Sequence, residues 1–60
     1  MKITVHGNKV TGTYWIRLTA RNGKTIMVSE MYSTLTNARR AGRNLSKSLS
    51  LPLEPDVQYV

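Results

Sequence analysis

The chain has no cysteine and no phenylalanine, a single histidine, a single tryptophan and only three acidic side chains. Without cysteine it has neither a disulfide framework nor a thiolate zinc site to brace a small fold. His6, Glu30, Glu54 and Asp56 are then the whole supply of acid–base and oxygen- or nitrogen-ligating side chains of those types. They are too few and too dispersed for a metal cage, and no cofactor or metal is expected. His6 has no acid beside it in sequence and Ser29-Glu30 has no evident base, so nucleophilic and acid–base catalysis lack an orienting partner. The glycines are scattered and form no phosphate-cradling loop. No apolar run approaches the roughly 20 residues of a membrane helix, and the start shows no signal-peptide core. A non-enzymatic chain in the cytoplasm, away from membranes, is expected.

What is abundant is positive charge. Nine lysines and arginines against three acids give a formal net charge of +6 in 60 residues. That balance favours a polyanionic or acidic partner, with plain solubility as the competing explanation. Sixty residues make at most one domain with a thin core, too slight to enclose a reaction centre, and a homodimer would supplement it.

Apolar alternation marks the elements. Met1–Val5 reads as a short strand, His6-Gly7-Asn8 as a turn and Thr11-Gly12 as a second break. Thr13–Ala20 is the strongest strand, with Tyr14, Ile16 and Leu18 alternating against Trp15, Arg17 and Thr19. After Asn22-Gly23, the segment Lys24–Ser29 returns as its hairpin partner. A two-residue Asn22-Gly23 loop would set Leu18 opposite Met27 and place Ile26 and Val28 on the face of Trp15 and Arg17. A three-residue loop, Arg21-Asn22-Gly23 with Gly23 left-handed, sets Leu18 opposite Ile26 and Ile16 opposite Val28. The second register gathers four aliphatic side chains on one face and is the one expected.

Past Tyr32 the period becomes helical. Leu35, Ala38, Ala41, Gly42, Leu45 and Leu49 form a stripe for a helix over 35–49, with Ser33, Thr34 and Thr36 as competent N-caps. A mid-helix glycine costs about 1 kcal/mol against alanine, so Gly42 implies close approach of helix to sheet. Pro52 and Pro55 end the helix, and Leu53, Val57 and Tyr59-Val60 follow as an extended tail able to pair along a sheet edge, in its own subunit or a partner's. The fold class expected is α+β: a three-stranded antiparallel sheet with one helix packed on one face, β-β-β-α over residues 1–51, and an extended C-terminal tail over 52–60.

The run from Ile16 to Tyr32 resembles the signature of the YegP-like family of small bacterial proteins. Leu18, Ala20, Asn22, Gly23, Ile26, Ser29, Glu30 and Tyr32 match a pattern close to L-K-A-x-N-G-x-x-I-x-x-S-E-x-Y, and Ala38 and Gly42 match the helix that follows. The similarity covers about residues 14 to 47. It implies a sheet-plus-helix unit, found as tandem copies or as a dimer, and no established activity. The single copy, the basic helix and the proline-containing tail depart from the family pattern and suggest a specialised, phage-borne relative.

Two surfaces are candidates for binding. On the helix, Arg39, Arg43 and Lys47 recur at i, i+4 and i+8 with Arg40 beside them, and no acid lies within the helix to pair with them. Like charges at this spacing oppose an isolated helix by roughly 0.2–0.5 kcal/mol per pair; the alternative is an ordinary solvated face. On the sheet, the preferred register turns Trp15, Arg17, Thr19, Thr25 and Met27 outward, with Arg21 and Lys24 at the hairpin tip. Trp, Met and Arg are the residues enriched in protein interfaces, and a sheet bearing arginine also suits a DNA major groove. Integrase arm-binding and plant AP2-type domains are similar in outline. Glu30 is expected to complement the helix N-terminus, and Tyr32 to pack under the helix. The expected function is a nucleic-acid-binding accessory protein that contacts the phosphate backbone, with an inhibitor-like protein-binding module covering an acidic host protein as the alternative.

Overall fold

The computed structural model describes residues 1–60, with β1 at Lys2–Asn8, β2 at Thr13–Thr19, β3 at Thr25–Val28, α1 at Leu35–Leu49 and β4 at Leu53–Tyr59. The four strands form one mixed sheet in the order β3-β2-β1-β4. β1–β2 and β2–β3 pair antiparallel, and β1–β4 pair parallel. The expected three-stranded sheet therefore gains a fourth strand. Residues 52–60 are no free tail, because they return beside β1 of the same chain.

β4 tolerates its proline because it is an edge strand, where a missing N–H breaks no second ladder. Ile3 pairs with Leu53 and Val5 with Val57, so the three residues Glu54-Pro55-Asp56 bulge opposite Thr4. The strand is anchored at both ends. Ile3 N–H donates to the Pro52 carbonyl at 2.9 Å and Val60 N–H to the Gly7 carbonyl at 2.9 Å. The Lys9 ammonium stands 4.5 Å from the Tyr59 ring centroid.

β1 runs through His6-Gly7-Asn8, which the sequence suggests as a turn. Gly7 is there for packing: a Cβ at this position would lie 2.8 Å from Tyr14 Cδ1 and 3.1 Å from Tyr59 Cε1. The reversal comes later, where the Asn8 side-chain oxygen accepts from Val10 N–H at 3.0 Å and Gly12 N–H donates to the Asn8 carbonyl.

The β2–β3 hairpin has the three-residue loop expected, but not its facing. Ala20 N–H donates to the Lys24 carbonyl at 2.8 Å, and Gly23 has φ +85°. Thr19 then pairs with Thr25 while Leu18 pairs with Met27 and Arg17 with Val28, so Ile26 is an extra residue. This bulge slips the alternation by one. Met27, expected beside Trp15, sits opposite Leu18 instead, and Val28 joins the face of Arg17.

The helix begins on Thr34, whose hydroxyl accepts from Asn37 N–H at 3.3 Å. No acid lies in its first turn, and Glu30 makes no capping contact; the Thr34 hydroxyl takes the role expected of it. Ser50 closes the helix in the left-handed region, with φ 54° and its N–H on the Ser46 carbonyl.

The core lies between α1 and one face of the sheet: Ile3, Val5, Ile16, Leu18 and Ala38, with Leu35, Ala41, Leu45, Leu53 and Tyr32 packed around them. Gly42 is buried, and a Cβ there would lie 3.2 Å from Leu53 Cδ1 and 3.4 Å from Ile16 Cγ2, the close approach its position implies. The helix covers β2, β1 and β4 but does not reach β3. Beyond that cover, Ile26, Met27 and Val28 remain about half exposed. No helix is long and apolar enough to cross a membrane.

Candidate functional site

The helix surface brings together four of the expected site residues. Arg39, Arg40, Arg43 and Lys47 are all exposed on α1, outside its inward stripe. Their stripe follows from the packing: Ala38, Ala41, Gly42 and Leu45 claim the inward side, which leaves these positions outward. The one ion pair in the molecule joins Lys2 Nζ to Glu54 Oε1 at 3.4 Å, so none of the four helix cations is neutralised by a carboxylate. Arg39 and Arg43 flank a recess of about 220 Å³ between α1 and β4, with Leu53, Glu54 and Pro55 on its far wall. Lys47 lies in the last turn, where it also complements the negative end of the helix dipole.

The sheet set does not join this surface. Arg17 lies on the helix-free face, opposite the layer that bears the arginines of α1. Arg21 and Lys24 are exposed at the hairpin tip. Met27 belongs to the apolar edge of β3, together with Ile26, Val28 and the nearby Met31, which is 62% exposed.

Trp15 departs most from expectation. It does point away from the helix, but it is only 9% exposed. Its indole stacks on the His6 imidazole across the β1–β2 pair, with centroids 5.9 Å apart and planes 10° from parallel. Sequence reading treats an outward-facing tryptophan as free because it cannot see a neighbouring strand's ring lying against it. At that exposure Trp15 is not a protruding side chain free to form the centre of a protein interface.

His6, expected in a turn, is a nearly covered residue of β1. Its Nε2 and the Thr4 hydroxyl are 2.7 Å apart, and the same hydroxyl is 3.4 Å from the Arg17 carbonyl. One hydroxyl proton can serve only one of these neighbours. Burial lowers the His6 pKa below its ordinary 6.5, and the Arg17 guanidinium lowers it further, so the imidazole is neutral at pH 7. No three His, Cys, Asp or Glu side chains gather into a metal-binding group.

Ser29 was not singled out for a role of its own, and the structure gives it one. Its hydroxyl accepts from Ile16 N–H at 2.9 Å and donates to the Glu30 carbonyl at 3.0 Å, while Ser29 N–H bonds the Ile16 carbonyl. Three residues on, Tyr14 and Tyr32 exchange backbone hydrogen bonds at 2.8 and 2.6 Å. The S-E-x-Y ending of the hairpin motif thus ties the end of β3 to β2 at the turn into the helix, and its serine and tyrosine act in folding.

A family described as a domain of unknown function, DUF1508, matches the chain over residues 10–43. The match spans β2, β3 and the first part of α1, and leaves out β1 and β4. No curated protein and no solved structure matches the chain.

Proposed function

The chain belongs to the DUF1508 family, the YegP-like family its hairpin motif resembles, and from that premise we propose that it is a non-enzymatic module binding the phosphate backbone of nucleic acid through α1. The observation that carries this is the helix surface itself: Arg39, Arg40, Arg43 and Lys47, exposed together and without a carboxylate partner. A row of cations along a rigid helix offers charge-assisted contacts to phosphates, and release of condensed counterions supplies the free energy. The net charge of +6 adds long-range attraction. Base readout has no support here, since the sheet face holds Trp15 in a stack and Arg17 in a recess. Affinity with little sequence preference follows.

Gel retardation of duplex DNA and of RNA at about 50 mM salt tests this, with log K falling against log salt at a slope near −3.6 if about four phosphates of duplex DNA are neutralised. Replacing all four helix cations by alanine is expected to remove most of that slope. Alanine favours the helix and relieves like-charge repulsion, so circular dichroism should show the variant folded. Absence of retardation by the unaltered protein at that salt would sink the proposal.

A second role is favoured by β3. Its outer edge is unpaired in the strand order β3-β2-β1-β4, and Ile26, Met27 and Val28 leave it apolar. Such an edge suits strand addition by a protein partner or by a second copy of the chain. Affinity capture from a nuclease-treated lysate, together with the mass of the free protein in solution, separates these two; a monomer that retains nothing would exclude both.

A further inference from the structure

On the face of the sheet opposite α1 lies a second recess of about 220 Å³, remote from the helix cations. β1 contributes Lys2, Thr4 and His6 to its wall, β2 contributes Arg17 and Thr19, and β3 contributes Thr25. No apolar side chain and no carboxylate lines it. The walls follow from strand alternation: the polar members of β1 and β2 stand opposite one another, Lys2 with Thr19 and Thr4 with Arg17. A recess of this size is smaller than the roughly 300 Å³ at which pockets for drug-sized ligands begin. Its polar groups are an ammonium, a guanidinium, three hydroxyls and the Gln58 amide from β4 around the His6 imidazole, and both charged members are cations.

One of these donors is unsatisfied. The Arg17 Nε is buried and finds no acceptor in the protein. Buried polar groups are paired in the great majority of cases, and an orphaned charged donor is costly. Arg17 also has no carboxylate within ion-pair distance, and Lys2 shares its charge only with the half-exposed Glu54, which does not line this recess. Two cations and several hydroxyls have been assembled on the helix-free face of the sheet with no carboxylate lining the recess.

The geometry points to a binding site for a single tetrahedral oxyanion of the phosphate class, held by Arg17 and Lys2 with the hydroxyls of Thr19 and Thr25 as neutral donors. Guanidinium and hydroxyl donors converging on phosphate oxygens form the short, charge-assisted bonds that suit such an anion. The site is independent of the helix: it lies on the other layer and uses none of α1's cations. The phosphate group has two sources, a free phosphate or the terminal phosphate of a nucleic-acid strand.

The test is a titration of the folded protein with sodium phosphate at constant ionic strength, followed by NMR, with sodium chloride as the reference. Saturable shifts of the His6 imidazole and Arg17 Nε resonances with phosphate and not with chloride are expected. The variant lacking all four helix cations should bind equally well. Arg17→Met is expected to weaken binding by about tenfold or more, the value of a charge-assisted contact. If that variant does not fold, Thr19→Val should weaken it more mildly, and the unaltered protein's own shift pattern still decides. A 5′-phosphorylated oligonucleotide that outcompetes both its 5′-hydroxyl counterpart and inorganic phosphate identifies a strand end as the source. Equal competition by inorganic phosphate identifies the free ion. Shifts confined to α1, or phosphate and chloride titrations that coincide, would overturn the site.

Discussion

His6 and Trp15 lie face to face on neighbouring strands, 5.9 Å between ring centroids, on the side of the sheet that no helix covers. This pair gives the second face a small packed layer of its own. Thr4, His6, Trp15 and Thr19 are each under a tenth exposed although only strands surround them. Trp15→Ala is therefore a core substitution, with a cost on the order of the 3–5 kcal/mol typical of truncating a buried tryptophan. In a domain of this length such a loss is expected to unfold the chain, visible as loss of the cooperative thermal transition.

Acidification should weaken the fold through His6. Burial and Arg17 lower its native pKa, so the unfolded chain takes up the proton first. Stability from the neutral imidazole is complete above the unfolded value near 6.5, declines as pH falls below it, and levels off below the lower native pKa. Thermal midpoints between about pH 7.5 and 5 should decrease in the unaltered protein and vary less in His6→Gln. Equal slopes for the two proteins would contradict this.

Ser29→Ala removes the acceptor for Ile16 N–H. The site is only partly buried, so water can compensate in part, and a loss of about 1 kcal/mol is expected by denaturant titration. Nucleic-acid retardation should be unchanged, separating the S-E-x-Y segment's structural role from binding.

At Gly42 two effects oppose each other. Alanine gains about 1 kcal/mol of helix propensity, while its Cβ would press Leu53 Cδ1 at 3.2 Å. Leu53 is half-buried on an edge strand and can give way, so Gly42→Ala should be nearly neutral. Gly42→Val adds two methyls against Leu53 and Ile16 and should lose about 1–3 kcal/mol. A valine variant as stable as the alanine one would show the gap to be looser than described.

The β3 edge offers a test without cost to the fold. Ile26 is half exposed and occupies the bulge, so Ile26→Lys should alter stability by less than about 0.5 kcal/mol. A charge on an edge strand opposes strand addition. If protein capture or self-association depends on this edge, it should fall sharply, and analytical ultracentrifugation and pull-down measure each.

Local signals were legible in the sequence; their long-range consequences were not. The limits of α1, the hairpin loop with Gly23 and the packing reason for Gly42 all follow from spacing and steric rules that act over a few residues. The register failed at one residue, since a bulge at Ile26 leaves no trace in apolar alternation yet inverts the facing of Met27 and Val28. β4 could be read only as an extended tail able to pair along a sheet edge, because Pro52 and Pro55 suppress strand propensity and its half-buried residues, Leu53 and Val57, lie four apart across a bulge. The helix cations could be read directly, because an outward stripe is the complement of an inward one. The recess around Arg17 could not, because its walls come from residues as distant as Lys2 and Thr25.

The parallel pairing of β1 with β4 bears on how the molecule is made. Ile3 meets Leu53 across nearly the whole chain, whereas the other two strand pairs are joined by short hairpins. Closing the long loop loses entropy before any contact repays it, so assembly is expected to run from the β1-β2-β3 meander to a late docking of β4. Opening should reverse that order, with the amide protons that tie β4 to β1 exchanging ahead of those between β1 and β2. The strand that completes the barrier around Ile3 and Val5 is then also the one by which the domain first comes apart.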